Sequence, residues 1–405
     1  MAVGNGEYGT LHAVPGVRLA AVSAGIKKPG RLDLVLFELN EGSITAGVFT
    51  RNAFCAAPVI LSKAHLGARM PRYFLINTGN ANAGTGAPGL DAASRCCEAL
   101  AALGGIAANA VLPFSTGVIG ELLPAAKIIA ALPQALSTLS ADNWDSAARG
   151  IMTTDTRPKA ASRQLTLGGK TLTLTGITKG AGMIKPNMAT MLAYICTDLS
   201  LTQREAQTLL RAAADKSFNR VTVDGDTSTN DCCMLSATGQ SGVSFASLPP
   251  VEQTLFTTAL QELCVELATA IIKDGEGATK FVTVDVEGGA DSEECLKVGY
   301  AIAESPLVKT ALFASDPNWG RILAAVGRAG LHELDLDAIE IWLDRTKIVE
   351  HGARATSYTE EQGQRVLNQE AFTIRVSLGR GGARERLWTC DFSHDYVSIN
   401  ADYRS

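Results

Sequence analysis

The chain has 405 residues, 46% hydrophobic and 19% charged, which is enough apolar material for a sizeable core and excludes disorder as the main state. Its 36 Lys and Arg against 41 Asp and Glu leave a net charge of −5, and no basic block interrupts the sequence, so nucleic acids and membrane surfaces are poor partners. At this length the expectation is two large lobes or one unusually large α/β layer structure.

In chain order, residues 32–39 and 44–50 read as strands joined by a turn at Asn40-Glu41-Gly42, and 73–77 as a further short strand. The loop Thr78-Gly79-Asn80-Ala81-Asn82-Ala83-Gly84 follows. Residues 90–103 have helical spacing and stop at Gly104-Gly105. A short apolar run, 111–114, enters a turn at Ser115-Thr116-Gly117. Helices are expected at 125–136 and 142–152, then a hairpin of 164–167 with 171–174 around Gly168-Gly169. A long irregular loop spans 176–190 and runs straight into an apolar strand, 191–196. Thr202 and Glu205 have capping-box spacing before a helix reaching about Ser217. Residues 250–273 read as the longest helix. Strands are expected at 281–286, 339–343, 372–378 and 387–392, with helices between the first three, and no element in the tail 393–405. The mixture, with no linker or repeat, predicts an α/β (α+β) layered fold of two intertwined lobes.

No run of 18 apolar residues suggests a membrane span, and residues 1–8 lack the basic start and apolar run of a signal peptide. Nine cysteines, an odd number with no C-x-x-C, read as reduced thiols of a cytoplasmic protein rather than a disulfide framework or zinc site. The five histidines, at 12, 65, 332, 351 and 394, avoid the Gly- and hydroxyl-rich middle of the chain. The chemistry there does not look histidine-based.

Several motifs have sufficient structural explanations. Gly84-Thr85-Gly86-Ala87-Pro88-Gly89 matches G-x-G-x-x-G, but seven loop residues precede it and no acid lies near 105–110, so a turn before a helix is the better reading. Residues 224–231, Asp-Gly-Asp-Thr-Ser-Thr-Asn-Asp, start like a calcium loop but lack Gly at the sixth position and Glu at the twelfth. A side-chain-capped turn and a supporting role beside an active site remain the two readings. Asp316-Pro317 suits a helix start, with Asp as cap and Pro first. Glu276, between Gly275 and Gly277, favours function only weakly.

The sharpest local feature is the loop ending in Ala189-Thr190. Glycines at 176, 180 and 182 permit unusual backbone angles, and a small residue precedes a hydroxyl residue that enters a strand. This suits self-cleavage. Thr190 attacks the Ala189 carbonyl, and hydrolysis frees an amine with a reference pKa of about 7.7–8.0, a base for its own hydroxyl. From the residues alone a plain Gly-rich loop before a buried strand is the favoured reading, because Ala-Thr pairs are common.

The loop Lys179-Gly180-Ala181-Gly182-Met183-Ile184-Lys185-Pro186-Asn187-Met188-Ala189-Thr190-Met191-Leu192 resembles the cleavage region of the ornithine acetyltransferase/glutamate N-acetyltransferase family, the bifunctional arginine-biosynthesis proteins. The resemblance covers nearly the whole chain. It includes residues 76–84, 115–119, 152–156, 223–231, 274–280 and 396–403, in order and spacing. It implies an αββα sandwich-like architecture and a precursor cut into an α chain, 1–189, and a β chain, 190–405, associating as two α and two β. The implied reaction moves an acetyl group from N2-acetylornithine to glutamate, ping-pong through acetyl-Thr190. By resemblance Thr116 and Gly117 form the oxyanion hole, while Thr156, Lys179, Thr190, Glu276, Asn400 and Ser405 contact substrate. Ser at 405, where Thr is usual, keeps the hydroxyl. The route implies no metal or resident cofactor. Acetyl-CoA is a donor in some members of the family and not others. The alternatives are an amidase or aminopeptidase releasing the acyl group to water, and a non-enzymatic metabolite-binding protein.

Overall fold

The computed structural model describes residues 2–27, 29–185 and 191–402. The first part of the chain forms β1 (Val17–Val22), β2 (Leu34–Leu39), β3 (Ile44–Phe49), α1 (Ala57–Ala68), β4 (Tyr73–Asn80) and α2 (Gly86–Gly104). It continues through β5 (Val111–Val118), α3 (Ala125–Ser137), α4 (Trp144–Gly150), β6 (Lys159–Leu167) and β7 (Lys170–Lys179). After residue 190 come β8 (Leu192–Thr197), α5 (Gln203–Asp215), β9 (Val221–Thr222), β10 (Cys232–Ala237) and α6 (Pro250–Lys273). Then follow β11 (Phe281–Gly289), α7 (Ser292–Ala303), α8 (Pro306–Phe313), α9 (Trp319–Gly327), β12 (Glu340–Leu343) and β13 (Thr346–Glu350). The last elements are β14 (Ala353–Arg354), α10 (Glu360–Leu367), β15 (Ala371–Ser377), β16 (Ala383–Cys390) and α11 (His394–Ala401).

Two sheets, ordered β1-β2-β4-β5 and β3-β10-β8-β7-β6, pack face to face. The strand period of two assigns each side chain its layer. In β2, Val35, Phe37 and Leu39 enter the space between the sheets, while Leu34 and Leu36 face outward onto Cys96, Cys97 and Leu100 of α2 and Leu132 of α3. In β8, Leu192, Tyr194 and Cys196 face the first sheet, while Ala193 and Ile195 face Leu210 of α5 and Leu260, Leu263 and Leu267 of α6. Helix, sheet, sheet, helix is the resulting αββα order. Phe37, Phe74, Phe114 and Tyr194 fill the centre, with ring centroids 5.3–5.9 Å apart.

A third sheet, β14-β13-β12-β15-β11-β16-β9, is covered by α7, α8, α9 and α10. Its β16 and β9 edge shares a core with α6 through Trp388, Cys390 and Val221, so the two lobes are fused. Helix α6 is long and apolar, but Phe256, Leu260, Leu263, Leu267 and Ile271 are buried in that core, as befits a core helix.

Several elements follow their local signals. Gly105 takes the left-handed conformation (φ 64°) that ends α2. Gly168 and Gly169, at φ 57° and 72°, close the two-residue hairpin between β6 and β7. Thr202 and Glu205 form the reciprocal cap of α5. The expected turn at Asn40–Gly42 is present, although the strands it joins, β2 and β3, belong to different sheets. Other expectations need correction. The expected turn at 115–117 is strand, since β5 pairs with β4 as far as Val118. Likewise β7 extends to Lys179, paired with β8, so residues 176–179 are not loop. Asn318, not Asp316, caps α9, accepting the Arg321 N–H at 3.1 Å. The tail forms α11. The strand β1 and the helix α1 had no sequence expectation.

The inter-sheet aromatic cluster predicts a measurable cost. Phe74→Ala should lower stability by about 3–5 kcal/mol, because the cavity lies between two paired sheets that cannot collapse onto it. Urea unfolding followed by fluorescence checks the size, and Phe74→Leu should lose clearly less.

Candidate active site

Thr116 and Gly117 lie near the end of β5, beside β4. Gly117 has φ 136°, and a Cβ there would sit 2.3 Å from the carbonyl carbon of Gly79. Only glycine lets these strands approach so closely. Ser115 is spent on structure, donating to Asn77 Oδ1 at 2.6 Å. Asn230 ties the 224–231 loop to both strands, donating to the carbonyls of Ala81 and Ser115 at 2.6 and 2.9 Å.

Lys179 ends β7 and donates from Nζ to Thr116 Oγ1 at 3.1 Å. A hydroxyl that accepts from an ammonium keeps its own proton free for an anion. Burial pushes the Lys179 amine down from its ordinary value, and the carboxyls of Asp155, Asp231 and Glu276 pull it back, with Lys159 opposing them.

Beneath the site, Lys159 Nζ bonds Asp155 and Asp274, each at 2.6 Å, with side chains 0–1% exposed. Asp155 also accepts the N–H groups of Gly180 at 2.7 Å and Thr153 at 2.9 Å. Burial alone would raise the Asp155 carboxyl, but Lys159, Lys179 and the Thr153 amide outweigh it and hold the group well below the usual carboxylate range. Asp274, at the end of α6, accepts both the backbone N–H (3.0 Å) and the hydroxyl of Thr156.

Two residues on, Glu276 is buried. Its N–H donates to Ala181 O at 2.8 Å, and its carboxylate lies where a Cβ on Gly182 would be. Asn400 of α11 donates to Glu276 Oε2 at 2.9 Å. Asp224 holds the other end of this loop, accepting from Met183 N at 2.7 Å and Ile184 N at 3.0 Å.

These residues enclose a cavity of about 290 Å³. Thr116, Gly117, Lys179, Glu276 and Asn400 all line it, together with Thr153, Thr154, Met191 and the 228–231 segment. Thr156 is not among the lining residues, its hydroxyl being taken by Asp274. Ala189, Thr190 and Ser405 lie outside the described residues. The calcium-like segment contributes hydrogen bonds and cavity wall, and among the described residues no His/Cys/Asp/Glu cluster could hold a metal ion. Gly89 of the G-x-G-x-x-G stretch is a packing glycine, since a Cβ there would fall 1.9 Å from Thr85 Oγ1. Sequence reasoning missed Lys159, Asp155 and Asp274 as parts of the site, while Asp231 lies in the 224–231 segment, for which a supporting role beside an active site is one of two readings. Asp155, Asp274 and Asp231 stood inside quoted motifs, whereas nothing local to Lys159 signals its distant partner.

The Lys159 arrangement yields a pH signature. A carboxyl whose folded pKa is depressed contributes stability that is complete above its unfolded pKa of about 3.9 and is lost as pH falls through the folded value. Lys159→Met removes the main cation from Asp155, and the buried carboxylate should then cost about 3–5 kcal/mol at pH 7. The deficit should shrink as pH falls toward 5, because protonation relieves the unpaired charge. Urea midpoints at pH 5 and 7.5 check both size and sign.

A model of the ArgJ family matches residues 18–405. The chain is 61% identical to the arginine biosynthesis bifunctional protein ArgJ of Pseudomonas syringae pv. tomato and 59% to that of Pseudomonas fluorescens, each over the full length of both chains. Among solved structures, ArgJ of Bacillus halodurans is 37% identical (TM-score 0.48), covering 51% of this chain and 97% of that one. An ornithine acetyltransferase complexed with ornithine, from Mycobacterium tuberculosis, is 38% identical (TM-score 0.41), covering 44% and 94%. With a cavity built from the residues its sequence singles out, and with relatives matched end to end, the chain belongs to the ArgJ family.

Proposed function

We propose that the chain is an acetyltransferase of arginine biosynthesis that moves the acetyl group of N2-acetylornithine to glutamate. The observation that carries this reading is the pairing of opposite charges in one cavity. Lys179 stands beside the Thr116 hydroxyl, and Glu276 stands with Asn400 on the wall formed by the end of α6 and by α11. An α-carboxylate suits the lysine and a side-chain ammonium suits the glutamate, so the cavity matches the zwitterionic ends of ornithine. Its size, about 290 Å³, suits an amino acid derivative rather than a polymer.

The nucleophile in this reading is Thr190, freed by cleavage after Ala189. Its role rests on the family resemblance, and Met191, the first described residue after it, lines the cavity. The threonine amine takes the hydroxyl proton, and the oxygen attacks the acetyl carbonyl. The Thr116 hydroxyl and the Gly117 backbone are the donors for the developing oxyanion. Ornithine leaves, and the glutamate amine attacks the ester. Thr156 acts from behind the wall, by fixing Asp274, and Ser405 contacts substrate by family analogy. Chains of residues 1–189 and 190–405 remain associated, as two of each, in the cytoplasm. Acetyl-CoA is the candidate second donor for glutamate.

Three tests follow from these roles. N-terminal sequencing should find a chain beginning at Thr190, and Thr190→Ala should stay a single chain. Incubation with N2-acetylornithine alone should add about 42 Da to the 190–405 chain, an acetyl group in place of hydrogen. Thr116→Ala should lower kcat by roughly 10²–10³ with a smaller effect on substrate binding, and steady-state kinetics with both substrates checks it.

A further inference from the structure

The cavity holds one carboxyl group that the route above leaves unused. Asp231 is 3% exposed and forms part of the wall. Among the described residues nothing hydrogen-bonds its Oδ2. Its neighbours are spent on structure, with Thr229 donating to Asn230 Oδ1 and Asn230 donating to two carbonyls. A buried carboxyl oxygen left without a partner is costly, so its retention in a cavity wall calls for a role.

Its position is fixed by the sheet. Asp231 immediately precedes β10, whose Cys232 pairs in parallel register with Leu192 of β8 and donates its N–H to Met191 O at 2.9 Å. Asp231 therefore stands in the cavity wall one strand away from Met191. Among the cavity-lining residues the charged groups sharing the space are Lys179 from β7 and Glu276 from the end of α6, and the Cys232 thiol follows in its own strand. Burial pushes the Asp231 carboxyl well above the usual carboxylate range, while Ser228 and Lys179 pull it back without cancelling the rise. A carboxyl raised in this way retains its proton further toward neutral pH and can lend it.

We propose that Asp231 is the catalytic acid and base for the amine in acetyl transfer, giving its proton to the departing ornithine nitrogen and recovering it from the incoming glutamate amine. The proposal rests on the acetyl-transfer reading. In the first half-reaction the C–O bond to Thr190 forms and the amide C–N bond breaks. The hydroxyl proton goes to the threonine amine, and the Asp231 proton goes to the leaving nitrogen. Ornithine departs, leaving an acetyl ester, an ammonium on Thr190 and a carboxylate on Asp231 close to Lys179. In the second half-reaction the glutamate amine attacks the ester and loses a proton to Asp231, while the ammonium returns its proton to the threonine oxygen. No outside reactant is needed.

The test compares two acetyl donors. N2-acetylornithine has a leaving nitrogen that must be protonated, whereas p-nitrophenyl acetate releases a phenolate that needs no proton. In Asp231→Asn, enzyme acetylation by N2-acetylornithine should fall on the order of 10²–10⁴-fold, and acetylation by p-nitrophenyl acetate should stay within about twofold. Equal losses with both donors, or no loss with either, would overturn the assignment. Should the variant remain uncut, the parent enzyme carries the same comparison through its pH profile. Acetylation by N2-acetylornithine should decline at high pH as the carboxyl loses its proton, and acetylation by p-nitrophenyl acetate should show no such limb. One shared profile for both donors would contradict the proposal. A parent enzyme that p-nitrophenyl acetate acylates but N2-acetylornithine does not would overturn acetyl transfer itself, and this role with it.

Discussion

A single buried cation sets the geometry of the cavity. Lys159 joins Asp155, in the segment before β6, to Asp274, at the end of α6 and 115 residues beyond Lys159 itself. Each carboxylate then organises a different wall. Asp155 receives the Gly180 amide and so fixes the chain just past Lys179. Asp274 fixes the turn that presents Glu276 and receives Thr156. Two carboxylates and one ammonium in a dry interior are tolerable only with added donors, and the amides of Thr153, Thr156 and Gly180 supply them. Stability and catalysis are therefore coupled here. A change that frees Lys159 loosens the lysine wall and the glutamate wall together.

The layered architecture explains why this arrangement can be both polar and dry. The strands that bear the site residues are buried on both faces by the αββα order, so only their ends can carry polar chemistry. Thr116 and Gly117 lie near the C-terminal end of β5, Lys179 at that of β7, and Asp231 just before β10 begins. The antiparallel pairing of β7 with β8 brings Lys179 opposite Leu192, next to Met191. Loops 180–185 and 224–231 are laced to each other by Asp224, and α11 is held to the turn after α6 by Asn400, which donates to Glu276 Oε2, and by Ser393, which donates to Gly277 O at 2.6 Å. The site belongs to the ends of several strands and to the loops between them, so segments far apart in sequence must fold before it exists.

Much of this was legible in the sequence because it is local. The glycine stop of α2, the Gly168-Gly169 hairpin, the Thr202–Glu205 cap and the long α6 all depend on a few adjacent residues. Motif strings led to Thr116, Gly117, Lys179, Glu276 and Asn400. The rest depends on partners distant in sequence. Turn-like composition at Ser115-Thr116-Gly117 and Gly176–Lys179 gave way to strand because β4 and β8 offered pairing. Val17–Val22 gained its strand from β2 in the same way. The tail became helix because Ser393 and Tyr396 dock on the 275–278 turn, where a Cβ on Gly277 would meet Tyr396 N at 2.5 Å. Lys159 in particular looks like an ordinary strand lysine until α6 brings Asp274 beside it.

An acetyl group handed from one amine to another through a single nucleophile must travel in two separable halves. Isotope exchange isolates the first half most directly. The enzyme is incubated with unlabelled N2-acetylornithine and labelled ornithine, without glutamate. The account predicts that label enters N2-acetylornithine at a rate comparable to turnover, because the acetyl-enzyme forms and is captured by ornithine. Exchange that appears only when glutamate is added would contradict it, since both amino acids would then have to be bound together for the acetyl group to move.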